Sequence, residues 1–268
     1  MVRPEAYLEN MGLYMTEPFH RDKIPVVLVH GLQSRPKVWA RAVNTLQADP
    51  VIRRHYQFLY YQYPTGFPIA YNAAGLRREL ARFQATFDPN RSNLHLRNMV
   101  LIGHSMGGIL SSVQVRTGGE PVRARVFRQP LDEIAINAES KAVIRELTDF
   151  EANTDIRRII FIATPHRGAE AAGSFLGQVG SRMVELPDYF KERVERLAAQ
   201  NRDVATDAMQ GVIDRGAPNS IRALRPSHPV MQALGELPID PEIQFHTIMG
   251  NRGHDVDEPV SDGWVDYE

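Results

Sequence analysis

Short apolar runs alternate along the chain with longer stretches in which apolar residues recur every three or four positions. That alternation predicts strands joined by helices, and therefore a mostly parallel sheet with helices on both faces. The run Ile24–His30 (IPVVLVH) is apolar almost throughout, as a strand buried on both sides must be. A helix is expected near Lys37–Leu46 and a strand around Gln57–Tyr61. Ala73, Leu76, Leu80, Phe83 and Phe87 then form one helical stripe, closed by Asp88-Pro89-Asn90. Met99–His104 (MVLIGH) predicts a central strand, and Met106–Val115 the helix after it. Residues Gly118–Asp155 are mixed and charged, an excursion with one helix near Ser140–Phe150. Ile159–Ala163 (IIFIA) and Ile243–Met249 (IQFHTIM) predict two further buried strands.

The stretch between those two strands is far longer than an ordinary loop. It has stripes of its own: Phe175, Val179, Met183 and Leu186, then Phe190, Val194 and Leu197. Such stripes commonly seal a core. An insertion at this point, above the strand ends, is also where a cap would sit, so residues 168–235 are expected to form a helical lid.

Composition narrows this picture without redirecting it. The chain has 268 residues, 43% of them apolar, which suits a single α/β domain over 1–268. It has no cysteine, which excludes disulfides and thiolate metal sites. The formal net charge is −1, so no strong field favours nucleic acid or an anionic membrane. Arg77, Arg78 and Arg82 are spaced to lie on the wet face of a helix. No apolar run approaches the ~18 residues a bilayer requires. The polar start MVRPEAYLENMGLY shows no signal-peptide core, so localisation stays open. No H-E-x-x-H or comparable cluster suggests a metal, and no cofactor is expected.

The chemistry-bearing pattern is Gly103-His104-Ser105-Met106-Gly107, a G-x-S-x-G between an apolar strand and a helix. A sharp strand-to-helix turn there would lift the Ser105 side chain above the sheet, with glycine at 103 and 107 where backbone segments crowd. The N–H groups at the head of the following helix would face the same point, ready for an oxyanion. His30-Gly31-Leu32 closes the first strong strand, and a loop N–H at that place completes such a site. The backbone amides of Leu32 and Met106 are therefore the expected oxyanion donors. His30, Gly31 and His104 are expected to support them, with the His30 ring bracing the loop rather than acting as base.

Taken together, VVLVHGL, GHSMGG and the later ATPHRGA (Ala163–Ala169) resemble the bacterial lipase and esterase branch of the α/β-hydrolases, including the GPI inositol-deacylase-like members. The resemblance runs from about Asp22 onward. It implies an α/β-hydrolase fold, with Thr164-Pro165-His166-Arg167-Gly168 shaping the rim of the site and His166 structural. It also points to an acid: Ser261-Asp262-Gly263-Trp264-Val265 is similar to the D-G-x-V motif that carries the lipase aspartate, so Asp262 is the expected acid. Asp255 and Asp257 lie nearby and lack the Gly-x-Val that follows it.

A serine nucleophile needs a histidine to take and return its proton. After the acid, a last strand and a His-bearing loop would take roughly 15–25 residues, and only Trp264–Glu268 remain after Gly263. The expectation is therefore that the catalytic histidine lies beyond this chain, which would be C-terminally incomplete. Among substitutes, His254 sits too near Asp262, His246 falls within a strand, and His228 beside Pro229 reads as a loop or helix-start residue. The leading expectation is hydrolysis of carboxylic, lipid-like esters through acyl-Ser105, with small-molecule or lipid esters as partners and membrane-surface contact through the lid. A deacylase or acyltransferase using the same serine, or a non-catalytic binding protein keeping the pocket, are the alternatives. Oligomeric state stays open.

Overall fold

The apolar runs become strands of one sheet in the computed structural model, which describes residues 11–168, 192, 202–214 and 220–250. The strands are β1 (Gly12–Met15), β2 (Ile24–Val29), β3 (Tyr56–Gln62), β4 (Met99–His104), β5 (Ile156–Ile162) and β6 (Gln244–Ile248). Their order across the sheet is β1-β3-β2-β4-β5-β6. Only β1 runs antiparallel, against β3; β2 pairs in parallel with β3 and β4, and β5 with β4 and β6. Parallel neighbours cannot be joined by a tight turn, so the connections carry the helices.

Those helices are α1 (Ala40–Ala48), α2 (Pro50–His55), α3 (Ile69–Phe87), α4 (Met106–Val113), α5 (Glu120–Val126), α6 (Ala138–Thr148), α7 (Asp207–Asp214), α8 (Ser220–Ala223) and α9 (Pro229–Glu236). Alternate residues of a strand face opposite sides, and β2 shows why its run is continuously apolar. Val27 and Val29 join Leu59, Leu101 and Phe161 against Ala73, Leu76 and Leu80 of α3 and Ile109 and Leu110 of α4. Val26 and Leu28 point the other way, to Phe58, Trp39 and Val43 of α1. The stripe expected on α3 is thus the buried face of that helix, and Asp88 ends it by donating its N–H to Gln84 O at 2.9 Å. Of the three arginines on α3, Arg78 and Arg82 are exposed. Arg77 is half-buried, its guanidinium 5.1 Å from the centre of the Phe150 ring.

Some elements differ from expectation. The edge strand β1 and the short helix α2 are additional, and α3 and β5 begin earlier than their apolar signals. The excursion after α4 holds two α-helices, α5 and α6; Asn137 caps α6 by accepting the N–H of Ser140 at 2.8 Å. β6 is not a buried strand: all five of its residues are exposed, with Phe245 at 57% and Ile248 at 55%. It stands last in the sheet order, and among the described residues no strand pairs with its outer edge.

The described part of the long insertion packs onto the body. Phe127 and Ala205 form an isolated antiparallel bridge, Arg128 donates its N–H to Val204 O at 2.8 Å, and Thr206 to Val126 O at 3.0 Å. Arg125 pairs with Glu236, and Arg128 with Asp207. Met231, Ala233 and Leu234 of α9 belong to the main core. Arg116, itself buried, donates from Nη1 to the carbonyls of Leu234 and Leu237 at the end of α9. The stripes at Phe175–Leu186 and Phe190–Leu197 lie outside the described residues. Among the described residues no helix is long and apolar enough to cross a membrane.

Leu101 is fully buried in the central strand β4. Leu101→Ala is expected to lower unfolding free energy in urea by about 2–5 kcal/mol, from lost burial plus the cavity left behind. A loss well under 1 kcal/mol would place β4 outside the core.

Candidate active site

At the C-terminal end of β4 the chain turns directly into α4, and Ser105 occupies the turn at φ 53°, ψ −125°. A side-chain-bearing residue at positive φ is strained by about 1–3 kcal/mol, so the surroundings must enforce it. Three glycines make the enforcement possible. A Cβ on Gly103 would stand 2.5 Å from Gly108 Cα, and one on Gly107 would stand 2.2 Å from Val29 O. Both collisions are with backbone, which cannot swing aside. A Cβ on Gly108 would strike Thr164 Oγ1 at 1.9 Å, so Thr164 sits directly against the head of α4. Ser105 donates its N–H to Ile162 O at 2.9 Å, tying the turn to β5. Its side chain is half-exposed, while Met106 and the rest of α4 are buried beneath it.

The end of β2 comes to the same point. A Cβ on Gly31 would lie 3.0 Å from Ser105 Cβ and 3.0 Å from His104 Nδ1, so Gly31 is pressed between them. The loop backbone is held from several sides. Tyr63 Oη donates to His30 O at 2.5 Å, and Gly31 O accepts from His30 Nδ1 at 3.0 Å and from Ser34 N at 3.2 Å. Among the described residues, neither the N–H of Leu32 nor that of Met106 donates to a protein acceptor. Met106 follows Ser105 directly and Leu32 follows Gly31, which is pressed against Ser105, so both amides belong to the backbone around the serine.

His30 is fully buried, its ring stacked on Tyr63 with centroids 4.4 Å apart. Because Gly31 O can only accept, the ring carries its proton on Nδ1, which leaves Nε2 bare and without a hydrogen bond. Burial pushes its pKa down to about 4, against a smaller upward pull from the Gly31 bond. The ring is neutral and braces the loop. His166 lies edge-on to Phe161, centroids 4.4 Å apart, and burial with nearby Arg116 lowers its pKa to about 4.

Of the other histidines, His228 caps α9, accepting the N–H of Val230 at 3.3 Å. His246 is exposed on β6, its Nε2 2.7 Å from Arg158 Nη1. Among the described residues no side chain hydrogen-bonds Ser105 Oγ. Asp262, Asp255, Asp257 and His254 lie outside the described residues. No group of three or more histidine or carboxylate side chains among the described residues could hold a metal ion.

The structure brings Gly31 against His104 and Ser105, and Gly107 against the carbonyl of His30; Leu32 and Met106 are the residues that follow Gly31 and Ser105 in the chain. Sequence reasoning missed Tyr63, Thr65 and Ser220, which anchor the loop from outside the motifs. The only signal near them is the turn chemistry of Tyr63-Pro64-Thr65-Gly66, which marks a loop and no chemistry.

A model of the alpha/beta hydrolase family matches residues 26–263. Among solved structures, the chain is similar to the mature form of the Bacillus licheniformis lipase BlEst2, with 15% identity, a TM-score of 0.48, and 95% of this chain and 82% of that one covered. It is similar to Staphylococcus hyicus lipase at 14% identity and a TM-score of 0.45, covering 92% of this chain and 72% of that one. A lipase-esterase related protein from Clostridium acetobutylicum shares 11% identity at a TM-score of 0.37, covering 88% and 78% respectively. A search of curated proteins finds no match.

The buried imidazole has a consequence for stability. Unfolded, His30 takes up a proton near pH 6.5; folded, it does so only near 4. Its contribution is therefore complete above pH 6.5 and fades as pH falls towards 4. His30→Asn is expected to flatten the dependence of unfolding free energy on pH between 4.5 and 6, by up to about 1.4 kcal/mol per pH unit. Parallel curves for the two proteins would show that His30 titrates in the fold as it does in water.

Proposed function

The chain belongs to the alpha/beta hydrolase family, and from that premise we propose that it is a serine hydrolase cleaving carboxylic, lipid-like esters through an acyl-Ser105 intermediate. One observation carries the reading: Ser105 is forced to positive φ at a strand–helix turn, beside two backbone amides that no described group uses. Strain of this kind persists only where the surroundings over-determine it, and it accumulates at reactive positions.

In the proposed reaction, Ser105 Oγ attacks the ester carbonyl, and the carbonyl oxygen gains charge between the amides of Leu32 and Met106. Collapse expels the alcohol and leaves the acyl group on Oγ; water then releases the acid. The hydroxyl proton passes to an imidazole that Asp262 orients. Three described imidazoles are held elsewhere: His30 is buried and neutral beneath the loop, His228 caps a helix, and His246 is on the last strand of the described sheet. The three motifs VVLVHGL, GHSMGG and ATPHRGA support the lipase and esterase branch, GPI inositol-deacylase-like members included. Residues 168–235 are the segment proposed as a cap meeting a lipid surface.

Hydrolysis of a p-nitrophenyl acyl ester is the direct assay. Ser105→Ala is expected to reduce the protein-dependent rate to background while leaving the unfolding midpoint nearly unchanged. An unaltered rate in that variant would remove Ser105 from the mechanism. No protein-dependent rate in either protein would favour a binding protein built on the same fold.

A further inference from the structure

The loop between β3 and α3 joins the nucleophile region to the insertion through one residue. Thr65 Oγ1 accepts the N–H of Gln33 at 3.2 Å, and the carbonyl of the same Thr65 accepts the hydroxyl of Ser220 at 2.5 Å. Ser220 also donates its N–H to Gly66 O at 3.3 Å. Thr65 is 8% exposed and Ser220 fully buried. Neither hydroxyl is a surface decoration.

Gln33 is where this matters. It is a non-glycine residue at φ 54°, directly after Leu32. Before Leu32, the His30 and Gly31 carbonyls are tied by Tyr63, His30 and Ser34. After Leu32, the bond to Thr65 is what holds the exposed, strained Gln33 amide. The peptide units on both sides of Leu32 must keep their orientation for its N–H to aim beside Ser105 Oγ. Without Thr65, strain at Gln33 could be relieved by rotating the chain there, which would carry the Leu32 amide with it.

We infer that Thr65 and Ser220 are positioning residues for the Leu32 amide, so that docking of the insertion at Ser220 sets the geometry of the oxyanion-binding loop. Both residues are buried, and they act on the loop through hydrogen bonds to its backbone. Ser220 fixes the Thr65 peptide, Thr65 fixes Gln33, and Gln33 fixes the amide one residue before it. The inference rests on the reading of Leu32 and Met106 as donors to the acyl oxygen. It adds that an element distant in sequence, |i−j| = 155 from Thr65, is part of the machinery that aims one of them.

Thr65→Val, Thr65→Ser and Ser220→Ala in the full chain test it with two independent readouts. The first is exchange of the Gln33 amide followed by NMR, which requires no turnover. Exchange should quicken by about ten-fold or more in Thr65→Val and Ser220→Ala, and stay slow in Thr65→Ser, with the unfolding midpoint of Ser220→Ala close to that of the unaltered protein. The second is ester hydrolysis, where both disruptive variants should lose about ten-fold in kcat with KM little changed, and Thr65→Ser should restore it. Gln33 exchange unchanged in Ser220→Ala would overturn the coupling. Equal kcat in all four proteins would overturn the positioning role. If Thr65→Val fails to fold, Ser220→Ala decides alone. Should Ser105→Ala retain the hydrolysis rate, the acyl-enzyme reading falls with the role of Leu32, while Gln33 exchange still reports whether Ser220 and Thr65 hold the loop.

Discussion

The structure turns on the contact between Gly107 and the carbonyls at the end of β2. A Cβ at that position would lie 2.2 Å from Val29 O and 2.4 Å from His30 O, so the head of α4 rests on β2 with no side chain between them. The approach is possible only because β4 bends straight into the helix, and that bend places Ser105 at positive φ. Strain, exposure of the hydroxyl and proximity to Gly31 are three results of one packing constraint. Any side chain at 107 would collide with the β2 carbonyls and force α4 and β2 to shift apart.

From that contact the site is assembled by ties at successive depths. The Tyr63 phenol and the neutral His30 imidazole hold the loop carbonyls from below, where burial keeps the imidazole uncharged at neutral pH. Thr164 packs on Gly108 from the β5 side. Thr65 and Ser220 reach the loop from the direction of the insertion. Each tie uses a short side chain or a buried ring, which limits the freedom left to the two amides. Preorganised donors cost little reorganisation as charge develops, and that is the physical value of a rigid rim.

The parts of this arrangement that were legible in the sequence share one property: their signal is local. Continuous apolar runs marked β2, β4 and β5, the three-and-four spacing marked α3, and glycines around a serine marked the turn. β1 was invisible because four residues, GLYM, carry no alternation long enough to stand out from loop. The exposure of β6 depends on which strand neighbours it, which no pattern within IQFHTIM encodes. Tyr63, Thr65 and Ser220 stayed hidden for a related reason. A threonine hydroxyl bonding an amide 32 residues earlier has no periodicity, and Ser220 meets Thr65 only after the chain has folded. Asp262 was read from a family motif and lies outside the described residues, so its place in the site rests on that motif.

The central claim is that the strained hydroxyl of Ser105 is a nucleophile facing two backbone donors. Incubation with an alkyl fluorophosphonate, followed by proteolysis and peptide mass mapping, tests it without presuming an ester. The account predicts a single phosphonyl adduct on Ser105, formed more slowly when free carboxylic acid product occupies the site. An adduct on another residue, or none after prolonged exposure of folded protein, would contradict it.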